Sequence, residues 1–255
     1  MSFDMNQYMI FLFACCRVSG MIFFNPIFGR KSVPNVLKVG LTLIIALNAV
    51  YEIGNISVIN YTTIELMLAM LKEFLVGLTI GFIMQMFLSI FHIGGEIIDM
   101  QMGLSMASMY DPTSNTKISL TGNLMTAMYI MLFFLSNSHL ALINIVIKSF
   151  QLVPIGLQAI STRLSVFFIE LFGYILAYAV QLSMAIVVTE IIVEVAVGIL
   201  MRLVPNINVF VVNLQIKIIV GLVVLLTIIP ALAKYMTMIN SIMMERIAQV
   251  LTFLT

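Results

Sequence analysis

The chain of 255 residues is 62% hydrophobic and 9% charged, with twelve Lys and Arg against eleven Asp and Glu. An ordinary soluble domain carries about 45–50% apolar and about 25% charged residues, so this chain lacks the polar groups to cover a water-exposed surface. Its apolar surplus must face lipid or other protein, and its balanced charge gives no electrostatic reason to expect a nucleic-acid partner.

A bilayer core about 30 Å thick takes roughly 20 apolar helical residues. Six runs approach that length, at about 8–28, 36–53, 64–91, 124–147, 164–189 and 209–233. The first is interrupted by Arg17 and holds Cys15 and Cys16, which read as small apolar residues because their spacing suits neither a bridge nor a metal. No Lys or Arg precedes this run and no small-x-small site follows it, so it reads as a retained transmembrane segment and not a signal peptide. Breaks fall at Asn25-Pro26, Val33-Pro34, Asp111-Pro112, Val153-Pro154 and Val204-Pro205, where proline removes a backbone donor and disfavours helix in the residue before it. Arg30, Lys31 and Lys38 argue that the first loop is cytoplasmic, but later loops bring the count of basic residues on the two sides nearly to a tie.

The runs are not clean. Arg17, Lys72, Glu73, Glu170, Glu190, Glu194 and Lys217 lie within or at the edge of apolar stretches. A charge at a helix centre costs roughly 2.5–3.5 kcal/mol on insertion scales, so these helices are expected to face protein in part. Gly77 and Gly81 form a small-xxx-small pair that permits close helix approach.

Between the third and fourth runs, His92 to Pro112 is too polar to span and reads as a loop. It holds Gly94, Gly95, Glu96, Asp99, an Asp111-Pro112 break and four methionines, Met100, Met102, Met106 and Met109. Unbranched, polarizable methionine can seal an irregular gap and re-pack when something passes, or it can simply fill a core in a chain with 21 of them. Catalysis is not expected. Gly103-Leu-Ser105 is like the Gly-x-Ser of intramembrane serine proteases, but Ser105 lies outside the spans and no third residue is placed to orient His139. No zinc-protease, phosphate-loop or paired-carboxylate pattern occurs, so neither metal nor cofactor is expected.

Toward the end, Ile191–Val204 either extends the fifth run or forms a half-span. In Met236–Leu254 the polar residues Thr237, Ser241, Glu245, Gln249 and Thr252 recur every three or four positions. That pattern predicts an amphipathic helix lying on a membrane or docked on a partner.

One ordered set of residues is more specific than any of these features. Gly95-Glu-x-x-Asp-x-Gln-Met-Gly-Leu-Ser-x-Ala followed by Asp111-Pro112 resembles the central signature of the FliR family of type III export-gate subunits. In the same order as that family run Arg17, Asn25-Pro-Ile-Phe28, Arg30, Pro34, Lys38 and Gly40-Leu41, then His139-Leu140, Ser149-Phe150 and Val153-Pro-Ile-Gly156. Glu194, Gly198, Arg202, Pro205-Asn-x-Asn208-x-Phe210 and Lys217 complete the set, which covers roughly residues 10 to 230. Ser138, Asn213 and Gln215 depart from the family pattern.

The resemblance implies an all-α fold of membrane-associated helical hairpins in a single domain over 1–255, with a P-like part over about 1–160 joined to a Q-like hairpin over 161–255. It implies a subunit that joins P and Q export-gate proteins, and other export-apparatus proteins, in the bacterial inner membrane. The assembly would form the channel for unfolded flagellar or effector proteins, in the basal body of a flagellum or of an injectisome. It further implies a plug loop that includes Met102, Gly103, Leu104, Ser105, Met106, Met109, Asp111 and Pro112. Structural or partner roles fall to Arg17, Pro26, Gly95, Glu96, Asp99, Gln101, Glu190, Glu194, Arg202, Pro205, Asn208, Phe210 and Lys217. Counted from the Pro205–Asn208 break, Glu194 and Lys217 sit at similar depth, roughly 14–17 Å from the turn, so they are expected to pair with each other or with charges on a neighbouring Q subunit. A secondary transporter or ion channel is the alternative; the in-span carboxylates support it, and the absence of an internal repeat weakens it.

Overall fold

The computed structural model describes residues 5–53, 62–105, 119–153, 155, 162–203 and 209–254. The chain is an all-α membrane protein. Its helices are α1 (Met5–Phe24), α2 (Asn35–Ile53), α3 (Thr63–Gln101), α4 (Leu120–Leu135), α5 (Ser138–Leu152), α6 (Thr162–Leu203) and α7 (Val209–Leu251). By length and composition α1, α2, α3, α6 and α7 could each cross a membrane, and α4 with α5 would make a sixth span.

The helix boundaries depart from the hydropathy runs in three ways. His92 to Gln101 continue α3, so the polar stretch is not a loop from His92 onward. The fifth run and Ile191–Leu203 form one helix of 42 residues, and the sixth run continues through Pro230 into the amphipathic segment as one helix of 43. The fourth run does the opposite and breaks after Leu135. Asn137 has φ 55°, the left-handed conformation that asparagine tolerates better than most residues, and the chain restarts there as α5.

The described residues pack as two compact units, one from Met1–Phe87, Phe134–Leu171 and Asn240–Thr255, the other from Leu88–Phe133 and Phe172–Ile239. In the first unit α1 packs on α2, and α2 on α5. Helices α1 and α3 cross at glycines. A Cβ on Gly77 would collide with the backbone carbonyl of Arg17, and one on Gly20 would collide with that of Phe74. Phe24 and Phe74 meet edge to face beside this crossing, with centroids 6.2 Å apart. The turn after α1 is set by Asn25, whose Oδ1 accepts from the backbone N–H of Ile27 (2.8 Å) and Phe28 (3.1 Å), with Pro26 between them. Lys38 then donates to the carbonyl of Gly29 at 3.0 Å. The final segment buries Met243, Ile247, Val250, Leu251 and Leu254 in this unit, and Phe253 meets Phe167 edge to face. Ser241, Glu245 and Thr252 point outward, so the amphipathic face is used within the chain itself.

In the second unit Phe91 stacks on Tyr129 at 4.4 Å, and Tyr235 of α7 donates to the carbonyl of Tyr178 in α6 at 3.1 Å. Much of α6 and α7 remains uncovered: Ile169, Ile192, Val195, Ile219 and Leu226 are all exposed.

The α1–α3 crossing makes a direct prediction. Gly77→Val places branched carbons against backbone that has no freedom to move aside, and overpacking of this kind costs about 1–3 kcal/mol or more. Gly40 of α2 has nothing within 4 Å of an added Cβ, so Gly40→Ala should be neutral or stabilise by up to about 1 kcal/mol. Denaturation midpoints of the detergent-purified protein should fall for the first variant and hold or rise for the second.

A buried arginine node and a clasped loop base

Arg17 has no exposed surface, and every nitrogen of its guanidinium is engaged. Nε donates to Glu73 Oε2 at 2.6 Å, Nη1 to Ser149 Oγ at 3.1 Å, and Nη2 to the carbonyl of Val153 at 3.0 Å. The guanidinium carbon lies 4.1 Å from the centre of the Phe150 ring. Ser149 Oγ in turn donates to the carbonyl of Val146 at 2.6 Å. One planar cation thus ties α1 to α3 and to the end of α5, with directed donors and a stacked ring that lysine could not reproduce. Two of the in-span charges, Arg17 and Glu73, neutralise each other here.

The second constellation lies at the base of the methionine-rich segment. Asp99, in the last turns of α3, is buried and holds the start of α4. Its Oδ2 accepts from Ser119 Oγ at 2.7 Å, the backbone N–H of Thr121 approaches its two oxygens at 3.2 and 3.3 Å, and Thr121 Oγ1 donates to Oδ1. Ser119 Oγ in turn accepts from the N–H of Gly122 at 2.9 Å, which caps α4 in the usual manner of a serine. A carboxylate at a helix N-terminus is favoured by the unpaired N–H groups there. The clasp closes only because Gly95 and Gly122 touch: a Cβ on Gly95 would run into the backbone of Gly122. Gly95 and Asp99 lie four apart and so share one face of α3.

The remaining expected site residues are dispersed. Pro26 sits in the turn after α1. Glu96 is exposed and lies 3.5 Å from His92 one turn back, and Gln101 ends α3 half-buried. Met102 is fully buried, Gly103 adopts φ 77° against the Leu214 side chain, and Leu104 and Ser105 are half-buried. In the α6–α7 hairpin Lys217 Nζ lies 3.5 Å from Glu194 Oε1, while Glu190 is fully buried and Arg202 exposed. Phe210 falls in the first turn of α7. Met106, Met109, Asp111, Pro112, Pro205 and Asn208 lie outside the described residues. Ser119 and Thr121 escaped the sequence reading, although a serine three residues before a glycine and an apolar run is a helix-start signal. Gly20 was missed as the partner of Gly77.

Truncating the clasp should be measurable without harming the node. Asp99→Ala leaves Ser119, Thr121 and the first turn of α4 short of their acceptor and should cost about 1–3 kcal/mol. Thr121→Val removes only the hydroxyl, leaves the backbone N–H in place, and should cost about 1 kcal/mol. Amide exchange in Leu120–Asn123 should quicken in the order wild type, Thr121→Val, Asp99→Ala, while exchange in α1 stays unchanged.

A protein-family model described as bacterial export proteins, family 1, matches residues 8–242. The chain is 31% identical over 220 residues to the flagellar biosynthetic protein FliR of Bacillus subtilis, covering 85% of this chain and 84% of that one. It is 26% identical over 226 residues to FliR of Escherichia coli, covering 89% and 86%. The Yop proteins translocation protein T of Yersinia pestis is 29% identical over 195 residues, 75% of each chain. The residues of both constellations fall within the matched span, and the chain belongs to the bacterial export proteins, family 1, the FliR family of type III export.

Proposed function

We propose that this chain is a gate subunit of a type III protein-export apparatus in the bacterial inner membrane. It joins P and Q gate subunits around a channel for unfolded proteins, and flagellar service is favoured by relatives named as flagellar biosynthetic proteins. Residues up to about 160 form its P-like part and the remainder its Q-like hairpin. Its contribution is structural and not catalytic.

The observation that carries the multi-subunit reading is the fate of the in-span charges. Arg17, Glu73 and Glu190 are covered by the chain itself, but Lys72, Glu170 and Glu194 are exposed on helices whose neighbouring exposed residues are apolar. Lipid is a poor cover for such faces, and protein a good one. The lengths of α6 and α7 agree. At 1.5 Å per residue they extend about 60 Å, twice the hydrocarbon core, so part of each needs another cover.

Met102 to about Gly122 would serve as the plug of the closed channel. The clasp supports this reading because it fastens both ends of the segment, at α3 and at α4, on Asp99. Deleting Leu104 to Tyr110 leaves Asp99, Ser119 and Thr121 in place. The deletion should raise ion leakage across the membrane several-fold in cells that still assemble the complex, as read by membrane potential and salt sensitivity. Unchanged leakage in an assembled complex would remove the plug role.

A further inference from the structure

Glu190 is an anomaly. It has no exposed surface, and neither carboxylate oxygen has a hydrogen-bond partner among the described residues. The Met102 side chain and Gly221 lie beside it. A Cβ placed on Gly221 would meet Glu190 Oε1 at 2.8 Å and the Met102 side chain at 2.6 Å. Burying a carboxylate without donor or cation is among the costliest arrangements a protein can hold.

The nearest remedy is one turn away. Lys217 precedes Gly221 by four residues on α7, and Glu194 follows Glu190 by four on α6, so the four positions form two facing rungs. Lys217 currently occupies the outer rung, beside Glu194 at 3.5 Å, longer than the 2.7–2.9 Å of a good charge-assisted bond. The Lys217 side chain is 15% exposed and that of Glu194 61% exposed. Around Glu194 the exposed residues are Ile191, Ile192, Val195 and Ile199, so its carboxylate, met on one side by Lys217, otherwise faces an apolar patch. Such a patch is covered either by lipid or by protein, and the carboxylate selects a protein that brings a cation.

We propose that Glu194 is the docking point for a Lys or Arg side chain of a neighbouring protein chain, and that its engagement releases Lys217 to the inner rung, where it neutralises Glu190. Each charge then has a partner, and the buried carboxylate gains the donor it lacks. The flexible four-carbon stem of Lys217 spans one helical turn without backbone movement. This inference rests on the multi-subunit reading above.

The test is a rescue experiment in the complex extracted with its neighbours, with yield scored per membrane-inserted chain. Lys217→Met should lower the co-purifying complex at least tenfold, and Lys217→Arg should retain most of it. Adding Glu190→Gln to Lys217→Met should restore the yield to within about threefold of wild type. Adding Glu194→Gln should not, and Glu194→Lys alone should abolish co-purification through repulsion of the incoming cation. Rescue by Glu194→Gln and not by Glu190→Gln would overturn the exchange and make the outer pair the final one. Undiminished co-purification of Glu194→Lys would overturn the docking role. If the wild-type chain brings no other chain with it, the multi-subunit reading falls first and this one with it.

Discussion

Charge burial is the constraint on which this molecule turns. A chain with so few charged residues has almost none to spare, and those it places inside apolar helices must be answered one by one. Arg17 shows a complete answer. Its donors reach a carboxylate, a hydroxyl and a carbonyl, and its face lies on a phenylalanine ring. Without that node, α1, α3 and α5 would lose their buried ion pair and its directed hydrogen bonds, and apolar contacts in lipid give little reason for one arrangement over another. A buried pair is weak evidence for net stability, but its directed geometry suits it to selecting a single packing.

The same economy governs the loop base. Asp99 is a buried carboxylate with no ion-pair partner among the described residues, yet three donors make it tolerable, and the glycine contact between Gly95 and Gly122 brings them within reach. Glu190 is the contrasting case, buried with no hydrogen-bond partner for either carboxylate oxygen among the described residues. Arg17 and Asp99 are fasteners inside the chain, whereas Glu170, Glu194 and Lys72 are charges left exposed on apolar helices.

Much of this was legible in the sequence, and the rest was not for identifiable reasons. Composition and run lengths suffice for an all-α membrane protein, and the ordered motifs for the family. Gly95 and Asp99 could be singled out because they lie within four residues of each other in the densest motif. The node could not be drawn, since Arg17 and Glu73 lie 56 positions apart and periodicity carries no pairing information. Hydropathy also averaged across the Ser136–Ser138 break, where one left-handed asparagine ends a helix inside an apolar run. It divided α6 and α7 instead, since it registers polarity at Glu190 and at Lys234 to Thr237, where hydrogen bonding along the helix continues undisturbed. Polarity suggests a loop from His92 for the same reason: Gly94, Gly95 and Glu96 look like a break, but the glycines are there for close packing.

The central claim is that the chain is one part of a larger export gate, with exposed charges that other chains complete. Native mass measurement of the particle extracted in mild detergent tests it most directly. A gate subunit should come out in a particle several times heavier than the 28.4 kDa chain, containing other export proteins in a fixed ratio to it. A stable, monodisperse particle whose protein mass is that of this chain alone would contradict it.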